Sequence, residues 1–294
     1  MNLRWVVRKP PVPLGVDPLP QRSRTGVNFP TDWAHRPLAK TVRAGFVEGV
    51  MRPVVSTLAL PTRRGLDRLD ILDVDQPVIF AANHHSHIDT PLLLTSIPRP
   101  WRRELVPMAA ADYFFGNSLS GAIAALSLGA VPMERNKVNR TSADKAVELI
   151  EAGHSLVIFP EGGRSPDGWG RQFRRGAAYL ALRADVPVVP VHIEGTSRIL
   201  PKGRSRPKAA PTTVTFGYPL TPTDGERSQD LSNRIEAAVA QMSDEVSSDW
   251  YQARRRAHAG ETPSLAGPRV GAWRRIWALE SGPKRRSRRA WPKV

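Results

Sequence analysis

The chain has 294 residues, 43 of them Lys or Arg against 27 Asp or Glu, which gives a formal charge of +16 and a pI near 11.1. Forty per cent hydrophobic residues exclude wholesale disorder, and the charge points to anionic partners such as phosphates, lipid headgroups or nucleic acid. With no cysteine, a disulfide scaffold, a thiolate zinc site, an iron–sulfur cluster and a Cys nucleophile are all excluded.

The first residues carry Arg4, Arg8 and Lys9 and no apolar run long enough for a signal peptide, so export by that route is not expected. Residues 1–36, rich in Pro and Arg, read as an extended leader. Pro37 then suits a first helical turn, and Leu38, Val42, Phe46 and Val50 recur every fourth residue with Lys40, Arg43 and Arg52 on other faces. This predicts an amphipathic, partly basic helix over 37–60, interrupted at Pro53, too charged to span a bilayer but suited to its interface.

From 61 to 250 the pattern alternates. Short apolar runs at 77–82, 129–133, 155–159 and 186–191 read as buried strands, and 91–97, 118–128, 142–151 and 175–183 as helices. The class is therefore α/β: a single domain with a parallel or mixed central sheet flanked by helices, preceded by the amphipathic helix. Residues 113–133 carry no charge over 21 positions, but three serines, three glycines and Asn117 favour a buried helix plus strand over a membrane span. The last segment, 251–294, holds twelve Lys or Arg against Glu261 and Glu280, and reads as a basic, mostly disordered tail.

Polar clusters follow three of the strands. The run at 77–82 ends in Asn83-His84-His85-Ser86-His87-Ile88-Asp89-Thr90-Pro91, where Thr-Pro signals a helix start and leaves the histidines in the turn before it. On an ideal helix, positions five apart sit about 140° around from one another, so His84 and Asp89 meet only if the segment is a turn. In a turn, the imidazole takes a proton from a nucleophile while the carboxylate fixes its tautomer, the base-plus-orienter logic of acyl transfer. The run at 129–133 ends in Glu134-Arg135, and that at 155–159 in Pro160-Glu161-Gly162-Gly163-Arg164-Ser165. Two glycines let backbone N–H groups approach an anion and Arg164 adds a permanent, bidentate donor, which suits a phosphate. Open α/β sheets place ligands past the carboxyl ends of their strands, so one shared site is expected.

These residues resemble the glycerolipid acyltransferases of the 1-acylglycerol-3-phosphate O-acyltransferase type. Asn83 to Asp89 is similar to their first block, Gly129 to Arg135 to the second, Phe159 to Ser165 to the third and Val186 to Val191 to the fourth, with Phe173-Arg174-Arg175-Gly176-Ala177 matching the stretch after the third. Gly163 stands where the third block usually has Thr. The resemblance implies transfer of a fatty acyl group from acyl-CoA or acyl carrier protein, as substrate, to a glycerol-phosphate hydroxyl. It assigns His84 as general base and Asp89 as its partner. Arg135, Glu161, Gly162, Gly163 and Arg164 would form the substrate-binding set, with Arg135, Glu161 and Arg164 on the phosphate. No metal or bound cofactor is implied, and the expected place is the cytoplasmic face of the cell membrane, held peripherally on an anionic surface in phospholipid biosynthesis.

Two alternatives stay open. His85-x-His87-x-Asp89 is close to a metal-ligand run, with His154 and His192 as further ligands, which would make a metal-dependent hydrolase. The tail, with Trp273, Trp277 and Trp291, would also suit nucleic acid, although no recognition motif accompanies it and no specific nucleic acid is expected. The basic loop 196–211, with Arg198, Lys202, Arg204, Arg206 and Lys208, reads either as a phosphate cover or as a solvated loop.

Overall fold

A computed structural model describes residues 29–111, 115, 118–133, 140–165, 169–200 and 206–267. The described strands form one seven-stranded sheet: β1 (Pro61–Arg64), β2 (Ile79–Ala82), β3 (Leu105–Ala110), β4 (Val131–Met133), β5 (Ser155–Ile158), β6 (Val188–Glu194) and β7 (Thr212–Phe216), in the order β1-β7-β6-β2-β5-β3-β4. All neighbours pair in parallel except β6 with β7, which makes the sheet mixed. Parallel strands lie under helices on both faces, which is why β2 and β5 are apolar runs buried at every position.

The pleat divides these strands between two cores. Ile79, Ala81, Leu156, Ile158 and Val188 pack with the helices Arg140–Glu151, Gly176–Ala184 and Ser228–Ser247. Phe80, Ala82, Val157, Val189 and Val191 face the opposite side, against Val47, Met51, Val55 and Ala59 of the N-terminal helix and Leu92 and Leu93 of the helix Asp89–Ser96. The central trio β6-β2-β5 runs in parallel, so Asn83, Phe159 and the end of β6 come out on one edge of the sheet.

The N-terminal helix is not broken at Pro53. Helix α1 (Pro37–Phe46) passes through a π-helical turn (Val47–Met51) into α2 (Arg52–Ala59), where Pro53 occupies the second position and its missing N–H is carried by the altered register. The domain also outruns both expected boundaries. Ahead of Pro37, Asp32–His35 forms a 3-10 turn with Thr31 and Ala34 buried, and Phe29 meets Phe115 at 5.3 Å, so the packed chain begins before residue 36. Behind residue 250, helix Trp250–Ala259 is capped by Asp249 and docked by Arg256, whose guanidinium makes two bonds of 2.6 and 2.8 Å to Asp244. Leu265 is buried, and its carbonyl accepts from Gly170 N–H at 2.9 Å. Part of the charge counted in the expected tail, that of Arg256, is thus paired within the fold. Residues 1–28 of the expected leader and 268–294 of the expected tail lie outside the described residues.

Candidate active site

The segment after β2 leaves the strand without entering a helix, and the next helix opens at Asp89. That turn closes the distance a helix would have kept: His84 Nδ1 lies 2.9 Å from Asp89 Oδ2. The same oxygen accepts the backbone N–H groups of His85 at 2.7 Å and Ser86 at 2.8 Å. Three donors on one buried carboxylate oxygen require the ionised form. Burial pushes the Asp89 carboxyl up, but the bond from His84, the imidazole charge, the Ser86 N–H and the nearby Thr196 hydroxyl together bring it below its ordinary value. With Nδ1–H given to Asp89, the lone pair of His84 resides on Nε2, the nitrogen that remains for a substrate proton.

The loop after β5 holds His84 from every other side. Phe159 stacks on the imidazole with centroids 4.2 Å apart and planes 23° from parallel. Glu161 Oε1 accepts the His84 backbone N–H at 3.0 Å, while the Ser165 N–H donates to the His84 carbonyl at 3.0 Å. Glu161 Oε2 accepts from the Arg171 N–H at 3.0 Å. Burial pushes the Glu161 carboxyl up to about 8, against the pull of those two N–H bonds. From the β6 side, Asn83 mimics a strand residue: Nδ2 donates to the Ile193 carbonyl at 2.8 Å and Oδ1 accepts its N–H at 2.7 Å. Ser86 Oγ donates to the Leu200 carbonyl at 2.8 Å.

Two residues expected to bind substrate also hold the site's own backbone. Glu161 accepts a backbone N–H group with each oxygen, from His84 and from Arg171, and so braces the His84 turn. The Gly162 N–H bonds the Phe159 carbonyl at 3.1 Å, so it closes a turn and is not offered to an anion. Glycine is needed there for another reason: φ is +68°, and a Cβ would stand 2.9 Å from Arg174 Nε. Gly163 and the half-buried Arg164 lie on the same loop, next to Ser165 and hence beside His84. Arg135 lies outside the described residues. Of the basic loop, Thr196–Ile199 is a short helix and Arg198 donates to the Pro211 carbonyl at 3.2 Å, whereas 201–205 are outside the described residues.

The metal alternative does not assemble. Asp89 Oδ2 is taken up by three N–H donors. His154 stands at the other end of β5, 3.0 Å from Glu104. Among the described residues, no three His, Asp or Glu side chains group as ligands. No role follows from the sequence for Phe159, Asn83 or Thr196, although Asn83 and Phe159 each stand at the head of a motif block.

The family model described as Acyltransferase matches residues 62–194. The chloroplastic 1-acyl-sn-glycerol-3-phosphate acyltransferase of Brassica napus is 32% identical over 143 residues, which cover 48% of this chain and 39% of that protein. The 1-acyl-sn-glycerol-3-phosphate acyltransferase alpha of Ovis aries is 26% identical over 180 residues, 59% of this chain and 60% of that protein. The chain thus spans between about two fifths and three fifths of the length of these relatives. The crystal structure of the 1-acyl-sn-glycerophosphate (LPA) acyltransferase PlsC from Thermotoga maritima superposes with a TM-score of 0.58 at 24% identity, covering 77% of this chain and 87% of that one. It shares the α/β fold, with a mixed sheet between helices.

Proposed function

We propose that the chain, whose residues 62–194 match the family model described as Acyltransferase, is an O-acyltransferase that moves a fatty acyl group from acyl-CoA or acyl carrier protein to 1-acyl-sn-glycerol 3-phosphate, giving phosphatidic acid in phospholipid biosynthesis. The observation that carries this reading is the His84–Asp89 pair at 2.9 Å, held between the loops after β5 and β6. His84 Nε2 removes the proton from the acceptor hydroxyl as its oxygen attacks the thioester carbonyl, and Asp89 stabilises the imidazolium that forms. The tetrahedral intermediate expels the thiolate, which takes the proton from His84, leaving an ester and a free thiol. Arg164 and Arg135 bind the acceptor phosphate, with Gly163 giving the backbone room to approach it. No bound cofactor enters this scheme; the acyl thioester is a substrate.

The enzyme sits on the cytoplasmic face of the membrane, attached peripherally. Among the described residues, no helix is long and apolar enough to cross a bilayer. The N-terminal helix instead has two apolar faces: Val47, Met51, Val55 and Ala59 are buried, while Leu38, Val42, Phe46, Val50 and Val54 are exposed, Leu38 to 78%. Helix Ser118–Leu128 packs beside it and exposes two further apolar side chains, Leu119, to 71%, and Ile123. An apolar stripe on a strongly cationic protein matches an anionic leaflet.

The test is mass spectrometry of the products formed from acyl-CoA and a panel of lysolipids. A phosphatidic acid product that disappears with His84→Ala supports the reading. The substitution should lower turnover by roughly 10²–10⁴, the usual contribution of a positioned base. Wild-type rates from a folded His84→Ala protein would overturn the mechanism.

A further inference from the structure

Two buried polar side-chain atoms at the dyad have no hydrogen-bond partner: Asp89 Oδ1 and Thr196 Oγ1. Both residues are almost wholly enclosed, Asp89 at 0% and Thr196 at 1% exposure. An orphaned acceptor beside an orphaned donor in an enclosed site is costly unless they serve each other. The pair falls short of strict hydrogen-bond geometry here, yet the Thr196 hydroxyl stands near enough to count among the groups that draw the Asp89 carboxyl down.

The fold brings them together deliberately in space, though 107 positions separate them in the sequence. Thr196 opens the short helix that follows β6, after Gly195 turns the chain at φ +91°, a position where a Cβ would meet the Pro211 carbonyl at 2.5 Å. The segment is pinned against the His84 turn on both sides of Thr196: three residues earlier by the Asn83 amide on Ile193, four residues later by Ser86 Oγ on the Leu200 carbonyl. A β-branched residue in a fixed helix start has few rotamers, so its hydroxyl is aimed by the backbone.

We propose that Thr196 is a positioning residue of the dyad, its hydroxyl donating to Asp89 Oδ1 and so fixing the plane of the carboxylate whose other oxygen orients His84. Asp89 Oδ2 is already committed to three N–H groups, and without Thr196 the second oxygen has no donor. Among the titratable groups that act on Asp89 are His84 and His85 on its own turn and Glu161 on the loop after β5, while His192 and Glu194 of β6 act on His85. The catalytic side of this inference rests on the acyltransfer reading; the pairing itself does not.

The experiment titrates the Asp89 carboxyl by carbon NMR in wild type, Thr196→Val and Thr196→Ser, alongside kcat and KM for acyl transfer as a function of pH. Removing a bond to a charged oxygen should raise the Asp89 midpoint by roughly one to two pH units. Since the dyad needs an ionised Asp89 to orient His84, kcat should fall roughly tenfold while KM holds. Thr196→Ser should behave as wild type. An Asp89 midpoint unmoved by Thr196→Val would overturn the pairing, and so would a Thr196→Ser protein as impaired as Thr196→Val, which would mean packing alone. Thr196→Ala carries the same expectation should the valine variant not fold. A wild-type protein without acyl transfer would sink the activity assigned above, leaving the NMR titration to decide Thr196 by itself.

Discussion

The Glu161 carboxyl accepts the backbone N–H of His84 at 3.0 Å, so the acidic residue after β5 acts on the base through its main chain. Its second oxygen ties the same loop to Arg171 at 3.0 Å. A side chain that braces the catalytic turn explains why an acidic residue sits beside a site meant for a phosphate.

Glu161→Gln should therefore be milder than Glu161→Ala. The amide oxygen still accepts from His84, whereas alanine leaves two buried N–H groups unpaired at a cost of about 1–3 kcal/mol each. Burial raises the folded carboxyl from 4.5 to about 8. Its contribution to stability is thus complete below the unfolded value and lost as pH climbs through the folded one. Urea midpoints between pH 5 and 8 should fall with rising pH in the wild type, and that component should vanish in Glu161→Gln; an identical pH dependence in both proteins would contradict the raised carboxyl.

Asn83→Ala should destabilise the fold and slow turnover together. It removes both bonds to Ile193, 2.8 and 2.7 Å long, and leaves a buried N–H and a buried carbonyl without partners, each costing about 1–3 kcal/mol. Asn83→Asp keeps an acceptor for the N–H but sets a carboxylate against the carbonyl, so its Tm should drop further. Thermal melts with matched activity assays read both effects.

Arg164→Ala and Arg135→Ala should weaken use of a phosphorylated acceptor by roughly 10- to 150-fold, the worth of a hydrogen bond to a charged group at about 1.5–3 kcal/mol. A monoacylglycerol without phosphate should be nearly indifferent. Equal losses with both acceptors would assign the arginines to the acyl donor or to the fold.

Replacing Val42 and Phe46 with glutamate should reduce sedimentation with anionic vesicles even at high salt, because those side chains belong to the exposed apolar stripe and not to the core. Removing residues 268–294, with nine Lys or Arg and one Glu, should abolish the salt-sensitive part of binding while sparing the packed helix Trp250–Ala259. Each basic residue near the leaflet is worth about 1 kcal/mol, and screening shortens from about 10 Å at 0.1 M to 3 Å at 1 M salt. Vesicle binding by the intact protein that ignores both lipid charge and salt would remove the electrostatic tether.

What the sequence determined by itself was whatever one strand and its following turn can write locally. Runs of apolar residues wide enough to be buried on both faces marked β2, β5 and β6, and the histidine block fell in a turn because Thr90-Pro91 announced a helix. Three strands escaped: β1 reads Pro-Thr-Arg-Arg, β7 is mostly threonine, and β3 carries Pro107 near its centre. The long helix Ser228–Ser247 buries Leu231, Ile235 and Val239 at a legible four-residue spacing that the reading passed over. The roles of side chains were another matter. That Glu161 holds the His84 backbone, that Asn83 ties the same turn to Ile193 of β6, and that Thr196 comes to the dyad from the end of β6 all depend on strands adjacent in space but about eighty to 110 positions apart in the chain. Hydrogen bonds between such loops have no period and no local composition, so only the packing of β6, β2 and β5 side by side decides them.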